Sequence, residues 1–156
     1  MTTSRKHRLI EVEWPTFGEC LPPARPSAAE FLLRIDATLE AMDGLGLTHL
    51  VVYGDREHFA NMAWLTGFDP RFEEAVFLIG GQRDPLLIVG NECEGYLPVS
   101  PLLAVHRLRS ERFQPFSLLN QPRGSSRLIR EIFADEGIEP GAKVGCVGWK
   151  IGRAHV

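Results

Sequence analysis

Apolar residues recur along this chain with two periods, and the change of period marks its elements. Phe31, Ile35, Leu39 and Met42 follow at spacings of four, four and three, the stripe of an amphipathic helix. Ser27 and Glu30 ahead of them make a capping box: the Ser hydroxyl serves the Glu amide and the Glu carboxylate reaches back. Gly44 and Gly46 stop the pattern, which predicts a first helix over 28–43. Residues 48–53, THLVVY, are β-branched and apolar between glycines and predict a buried strand. Asp55 then suits the N-cap of a short helix carrying Phe59, Met62 and Ala63, with Gly67 just past its end. Two apolar strands over 75–79 and 86–89 are joined by Gly-Gly-Gln-Arg-Asp-Pro, a connection suited to a hairpin. Residues 91–100 hold a helical turn limited by Pro98 and Pro101.

Beyond that point LLAVHRL, 102–108, predicts a fourth strand, and 109–124, with Pro115, Pro122 and Gly124, a long loop. Ser125 or Ser126 caps a helix with Leu128, Ile129, Ile132 and Phe133 on one face, stopped at Gly137. Residues 143–147 predict a fifth strand. Helices mixed with strands, plus one hairpin, predict a three-layer α/β domain with a mixed sheet of about five to six strands. Residues 1–26 differ: they are polar and carry Pro15, Pro22, Pro23 and Pro26. This is the composition of an arm, with Trp14 and Phe17 available to anchor it to the surface or to another subunit.

Composition narrows the classes. With 156 residues, 44% hydrophobic and 24% charged, one domain with its own core is expected. A net charge of −3 gives no electrostatic footprint for nucleic acid, and Arg5-Lys6-His7-Arg8 reads as a solvated tail. No apolar run approaches the ~20 residues of a membrane span, and Leu9-Ile10 is too short for a signal-peptide core, so a cytoplasmic location is expected. Cys20, Cys93 and Cys146 are odd in number and widely spaced, which fits neither a disulfide framework nor a zinc knuckle. Cys146, in an apolar strand, reads as a small core residue.

Few motifs carry chemistry. Gly54-Asp55-Arg56 after the first strand has one glycine and an anion at the mouth, so it repels a pyrophosphate rather than cradling one. His7, His49, His58, His106 and His155 stand at no metal-ligand spacing; His49 and His106, in or at strands, read as hydrogen-bonded structural histidines and His58 as solvent-facing. No Ser sits on a G-x-S-x-G elbow. The stretch with most functional content runs from Asn61 to Gly80. Its loop carries Asp69, Pro70, Arg71, Phe72, Glu73 and Glu74 between a capped helix and a buried strand. Glu73 and Glu74 are adjacent, so strand geometry points them to opposite faces, and they read as the solvated approach to the strand. Arg71 beside Phe72 suits either recognition of a carboxylate or peptide, or a salt bridge within the loop.

Asn61-Met62-Ala63-Trp64-Leu65-Thr66-Gly67-Phe68 resembles the N-x-x-Y-L-T-G-F signature of the creatinase/prolidase N-terminal domain, with Trp64 in the Tyr place. That domain precedes the catalytic domain in Xaa-Pro aminopeptidases, prolidases and creatinase. Arg71-Phe72-Glu73-Glu74-Ala75 is similar to the family's step into the next strand, and Lys143-Val144-Gly145-Cys146-Val147-Gly148-Trp149-Lys150 to its late strand. The order of elements agrees across 27–150.

The resemblance implies the N-terminal domain of a homodimeric enzyme acting on a peptide or small carboxylate. In such enzymes this domain helps build the dimer and can lean a loop into the partner's active site, which makes Arg71, Phe72, Glu73 and Glu74 a substrate-access loop. Asn61, Trp64, Thr66, Gly67 and Phe68 are then mainly structural. The chemistry belongs to a following pita-bread domain, where two Asp, one His and two Glu hold two divalent metals (Mn, Zn or Co) that activate water. None of those ligands can be placed on this chain, so by itself it is expected to be inactive and to hold no cofactor. A free-standing α/β binding or dimerisation module, or the N-terminal domain of a non-peptidase creatinase-like hydrolase, are the alternatives. The final residues, Ile151 to Val156, can be read back into codons as ATC GGA AGA GCA CAC GTC, which resembles a common sequencing-adapter read-through; the alternative is that the protein simply ends there. They are expected to be adapter-derived and are set apart from the fold.

Overall fold

The computed structural model describes residues 7–81, 83–118 and 124–148. The adapter-like segment 151–156, and Trp149 and Lys150 of the late-strand likeness, lie outside the described residues.

The first helix, α1 (Ala28–Gly44), forms where the stripe predicts it. Ser27 Oγ accepts from the Glu30 amide at 3.3 Å. The Glu30 carboxylate does not reach back; Arg34, one turn on, takes it at 2.9 Å. Phe31, Ile35 and Met42 are buried, whereas Leu39 turns partly to solvent. Strand β1 (His49–Gly54) pairs antiparallel with β2 (Ala75–Gly80), which pairs antiparallel with β3 (Leu86–Val89). Helix α2 (Ala60–Thr66) lies between β1 and β2. After β3 come two single-turn helices, α3 (Asn91–Glu94) and α4 (Pro101–Ala104), then β4 (Arg109–Arg112), α5 (Ile129–Asp135) and β5 (Val144–Val147). The sheet order is β4-β3-β2-β1-β5, with both outer strands parallel to their neighbours. This is a mixed five-stranded open sheet with flanking helices, the three-layer α/β arrangement that the pattern predicts.

Side-chain alternation divides the core between two faces. On one, Val52, Phe77, Ile79, Leu87 and Val89 meet Phe31, Ile35, Met62, Phe68 and Leu102. On the other, Tyr53, Val76, Leu78, Leu86 and Ile88 meet Ile132, with Phe113, Phe116, Ile129 and Phe133 partly buried around them. Each fully buried side chain of this size contributes about 1.5–3 kcal/mol through removal from water. The first face, under α1, α2 and α4, is closed. The second has the seven residues of α5 as its helical cover, and a cleft remains beside it.

Five sequence expectations are corrected. LLAVHRL is not a strand. Pro101 opens α4, because a proline at the first helical position lacks only an amide that the helix leaves unbonded anyway. The chain then turns at His106, where φ is +56°, so His106 is not in a strand. The strand is Arg-Ser-Glu-Arg, which the pattern assigns to loop; it is an edge strand, where charged side chains are suited to solvent. Asp55 caps a turn rather than a helix: its Oδ1 accepts from the Glu57 and His58 amides at 2.8 and 2.7 Å, and Phe59 stands uncapping at the start of α2. Neither Ser125 nor Ser126 caps α5; Leu128 is the N-cap, and the Glu131 carboxylate accepts from its amide at 3.0 Å. Cys146 is exposed because β5 is the other sheet edge.

Residues 7–27 are exposed throughout, and Trp14 and Phe17 are each 89% exposed, so neither aromatic is seated on the described residues. Among the described residues no helix is long and apolar enough to cross a membrane.

Candidate functional site

The loop 69–74 is mounted at both ends by local chemistry. At its start Thr66 Oγ1 donates to the Met62 carbonyl at 2.7 Å and accepts from the Phe68 amide at 3.1 Å. Gly67 sits at φ +71°, and a Cβ there would lie 3.0 Å from the Phe31 ring, so both backbone and space require glycine. Phe68 is fully buried and tilts against Tyr96 at 5.6 Å between ring centroids. Thr66, Gly67 and Phe68 are thus structural. Asn61 and Trp64 are exposed. The Trp64 ring carries the Arg34 guanidinium at 5.3 Å, and Arg34 Nη1 donates to the Trp64 carbonyl at 2.9 Å, which ties α1 to α2.

The four loop residues part company. Arg71 stands at φ +56°, a left-handed conformation uncommon for a side chain of its size, stabilised by its amide bonding Asp69 Oδ1 at 3.1 Å. Its guanidinium lies over the Tyr96 ring at 5.0 Å, donates to the Tyr96 hydroxyl at 3.1 Å and meets Asp69 at 3.4 Å. The Tyr96 hydroxyl and then Asp69 raise the arginine pKa further, so it is a fixed positive charge. The ring that partners Arg71 is therefore Tyr96, not the adjacent Phe72. The intraloop salt bridge and an arginine presented to solvent occur together.

Phe72 and Glu74 face the other way. With Asp55, Arg56, Glu57 and Phe116 they line an open cleft of about 480 Å³. Burial, followed by hydrogen bonding to Glu74, pushes the Tyr53 phenol well up, so Tyr53 stays protonated and fixes the Glu74 carboxylate. Partial burial pulls the Asp55 carboxyl upward, but the amides of Glu57 and His58 and the His58 ring outweigh it and hold it below the usual range. His58 is exposed, with Nδ1 at 3.0 Å from Asp55.

Glu73 is not the solvated strand approach that its neighbours suggest. It is 3% exposed, and its two oxygens accept from the Glu92 and Cys93 amides at 3.1 and 2.8 Å. A buried carboxylate so placed satisfies two amide donors that the first turn of α3 leaves unbonded. Gly90 makes room for it: a Cβ there would lie 2.5 Å from Glu73 Oε1. Glu73 therefore holds the loop to α3. Sequence reasoning missed both Glu73 in this role and Tyr96. The one local signal was Gly90 ahead of Asn-Glu-Cys-Glu, and nothing in the sequence links it to position 73.

The remaining histidine of note, His49, is buried between Thr48 Oγ1 at 3.0 Å and the Glu136 carbonyl at 2.9 Å, the structural role its strand position predicts. Cys93 donates to the Pro70 carbonyl at 3.0 Å; burial, then the charges of Asp69 and Glu92, push its thiol up to about 11. Among the described residues no three His, Cys, Asp or Glu side chains converge on a position that could hold a metal ion.

Among solved structures, the dipeptidase PepE from Mycobacterium ulcerans aligns with this chain at TM-score 0.45 and 17% identity, covering 57% of this chain and 24% of that one. An Xaa-Pro aminopeptidase from Streptococcus pyogenes aligns at TM-score 0.41 and 19% identity, over 76% of this chain and 92% of that one. The chain thus spans about a quarter of the dipeptidase's length, and neither alignment assigns a function to any residue here. No protein-family model matches the chain, and no curated protein matches its sequence.

Proposed function

We propose that this domain is the non-catalytic N-terminal part of an Xaa-Pro peptidase-like metallohydrolase, serving dimerisation and substrate access. The observation that carries the reading is Arg71. It is an exposed, permanently charged guanidinium held at a left-handed backbone position by Asp69 and Tyr96, on a loop whose two ends are pinned in the core. A side chain so fixed loses little freedom on meeting a carboxylate, which suits recognition of a peptide terminus or a small carboxylate. Phe72, 53% exposed, lines the open cleft on the other side of the same loop. The divalent metal pair and the hydrolytic step belong to the following domain.

The test is kinetic. In the full-length enzyme, Arg71→Ala raises KM for Xaa-Pro peptides several-fold and leaves the melting temperature within a degree or so. A thermal loss with unaltered kinetics contradicts the role. The apolar cleft beside α5 favours a second reading, a free-standing binding or dimerisation module. A gene product with no metal-ligand domain would select it over the first.

A further inference from the structure

Two features stand open to solvent among the described residues and match each other chemically. The first is the arm. Leu9, Ile10, Val12, Trp14, Phe17 and Leu21 are between 63% and 101% exposed, an apolar run that water opposes. The second is the cleft on the second sheet face. It measures about 640 Å³, within the range of ligand-sized sites, and its walls include Val51, Val76, Phe113, Ile129, Phe133 and Val147.

We propose that the arm of one chain seats Trp14 and Phe17 in this cleft of a second copy, which returns the same contact. Two observations favour a second copy over the chain's own arm. The arm joins α1 at Ser27, and α1 packs on the first sheet face, whereas the cleft opens on the second. Pro15, Pro22, Pro23 and Pro26 stiffen the arm in extended conformations and oppose the reversal needed to wrap round its own sheet. Whichever chain supplies the arm, Glu11, Glu13 and Glu19 flank the two aromatics, and the exposed face of α5 beside the cleft carries Arg130 along with Glu131 and Asp135. Glu74, the one carboxylate lining the cleft among the described residues, is held by Tyr53.

The area suffices. Each large aromatic buries about 150–250 Å². The four aromatics of two arms thus bury roughly 600–1,000 Å², and the other apolar arm residues with the cleft walls bring the contact to the ~1,200 Å² lower bound of a specific interface. Reciprocal exchange closes the contact by two-fold symmetry, with no open end to propagate. The proposal does not depend on the peptidase reading; it holds equally for a free-standing module.

The cysteines provide the test. Cys20 lies on the arm just beyond Phe17, Cys146 lines the cleft, and both are exposed, whereas Cys93 is buried. A Cys20→Ser chain and a Cys146→Ser chain are mixed and oxidised with copper–phenanthroline in air. Two thiols lose two protons and two electrons, which pass through copper to dioxygen, and one disulfide forms. The expected product on a non-reducing gel is a dimer of twice the 17.5 kDa chain mass that forms in the mixture far more than when either chain is oxidised alone, which marks it as mixed. Adding Trp14→Ala and Phe17→Ala to the chain that retains Cys20 lowers its yield by about tenfold or more, as loss of anchoring aromatics does. Sedimentation equilibrium without oxidant shows the same dimer and the same loss. Closure of Cys20 onto Cys146 within one wild-type chain, with no mixed dimer, overturns the proposal in favour of an arm on its own body. A mixed dimer indifferent to the aromatic substitutions reports collision and overturns it too. Absence of both products shows that something other than the arm occupies the cleft, or nothing does.

Discussion

Glu73 shows what a single residue contributes here. Its carboxylate is buried against two amides of α3, and Gly90 gives it space. Removing it leaves the buried Cys93 amide and the partly buried Glu92 amide without their acceptor, at about 1–3 kcal/mol for a fully buried donor and less for the other. Glu73→Ala is expected to lower unfolding stability by about 2–4 kcal/mol, and Glu73→Gln to lose less because one acceptor remains. Gly90→Ala expels the same carboxylate, so the double variant Glu73→Ala/Gly90→Ala should lose less than the two single losses added together. Urea denaturation of the four proteins measures this; additive losses would show that the two positions act separately. Cysteine reactivity is a second check. With its thiol raised to about 11 and buried, Cys93 should react with a disulfide reagent at pH 8 only after denaturation, whereas exposed Cys20 and Cys146 react at once. Rapid reaction of all three in the folded protein would contradict the packing. Legibility at this scale follows range. Gly67 was readable because a helix stop is local. Glu73 was not, because its partners lie about twenty positions further on and adjacent Glu74 suggested a shared exposed setting.

Elements were legible where burial imposed a period. α1, β1, β2 and β3 each bury enough apolar surface to mark themselves. β4 does not: it is a charged edge strand, held by backbone pairing to Leu86–Val89 and by ion pairs. LLAVHRL misled because its apolar content serves one buried turn, and only Leu102 and Leu108 of it are buried. An ion pair joins β4 to the end of α5. Arg109 Nη1 donates to Glu136 Oε1 at 2.9 Å, Arg109 Nη2 to Glu136 Oε2, and Arg83 lies beside them. The hydrogen bonds from Arg109 outweigh the opposing effect of burial, with Arg83 adding to them, and lower the Glu136 carboxyl from its ordinary 4.5. A carboxyl whose folded pKa lies below its unfolded value stabilises the fold above the unfolded value, and that contribution is lost as pH falls through the folded one. The melting temperature should therefore drop as pH is taken below about 4.5, and Glu136→Gln should flatten that part of the profile. An equal drop in wild type and variant would place the acid sensitivity elsewhere.

At the scale of the whole molecule, the sheet joins a closed face to one with an open cleft, and the 69–74 loop projects from the rim between buried supports. The α/β class was legible because alternating helices and strands leave few ways to layer a chain. The unseated arm and the cleft beside α5 were not, since neither exposure nor an empty volume has a sequence period. The central claim is that this domain belongs to a larger hydrolase whose metal ligands follow it. Sequencing the locus from source DNA tests that most directly. The account predicts an open frame departing from the adapter-like codons after Lys150 and running into a domain with two Asp, one His and two Glu at metal-binding spacing. A stop codon directly after a native Ile-Gly-Arg-Ala-His-Val would contradict it.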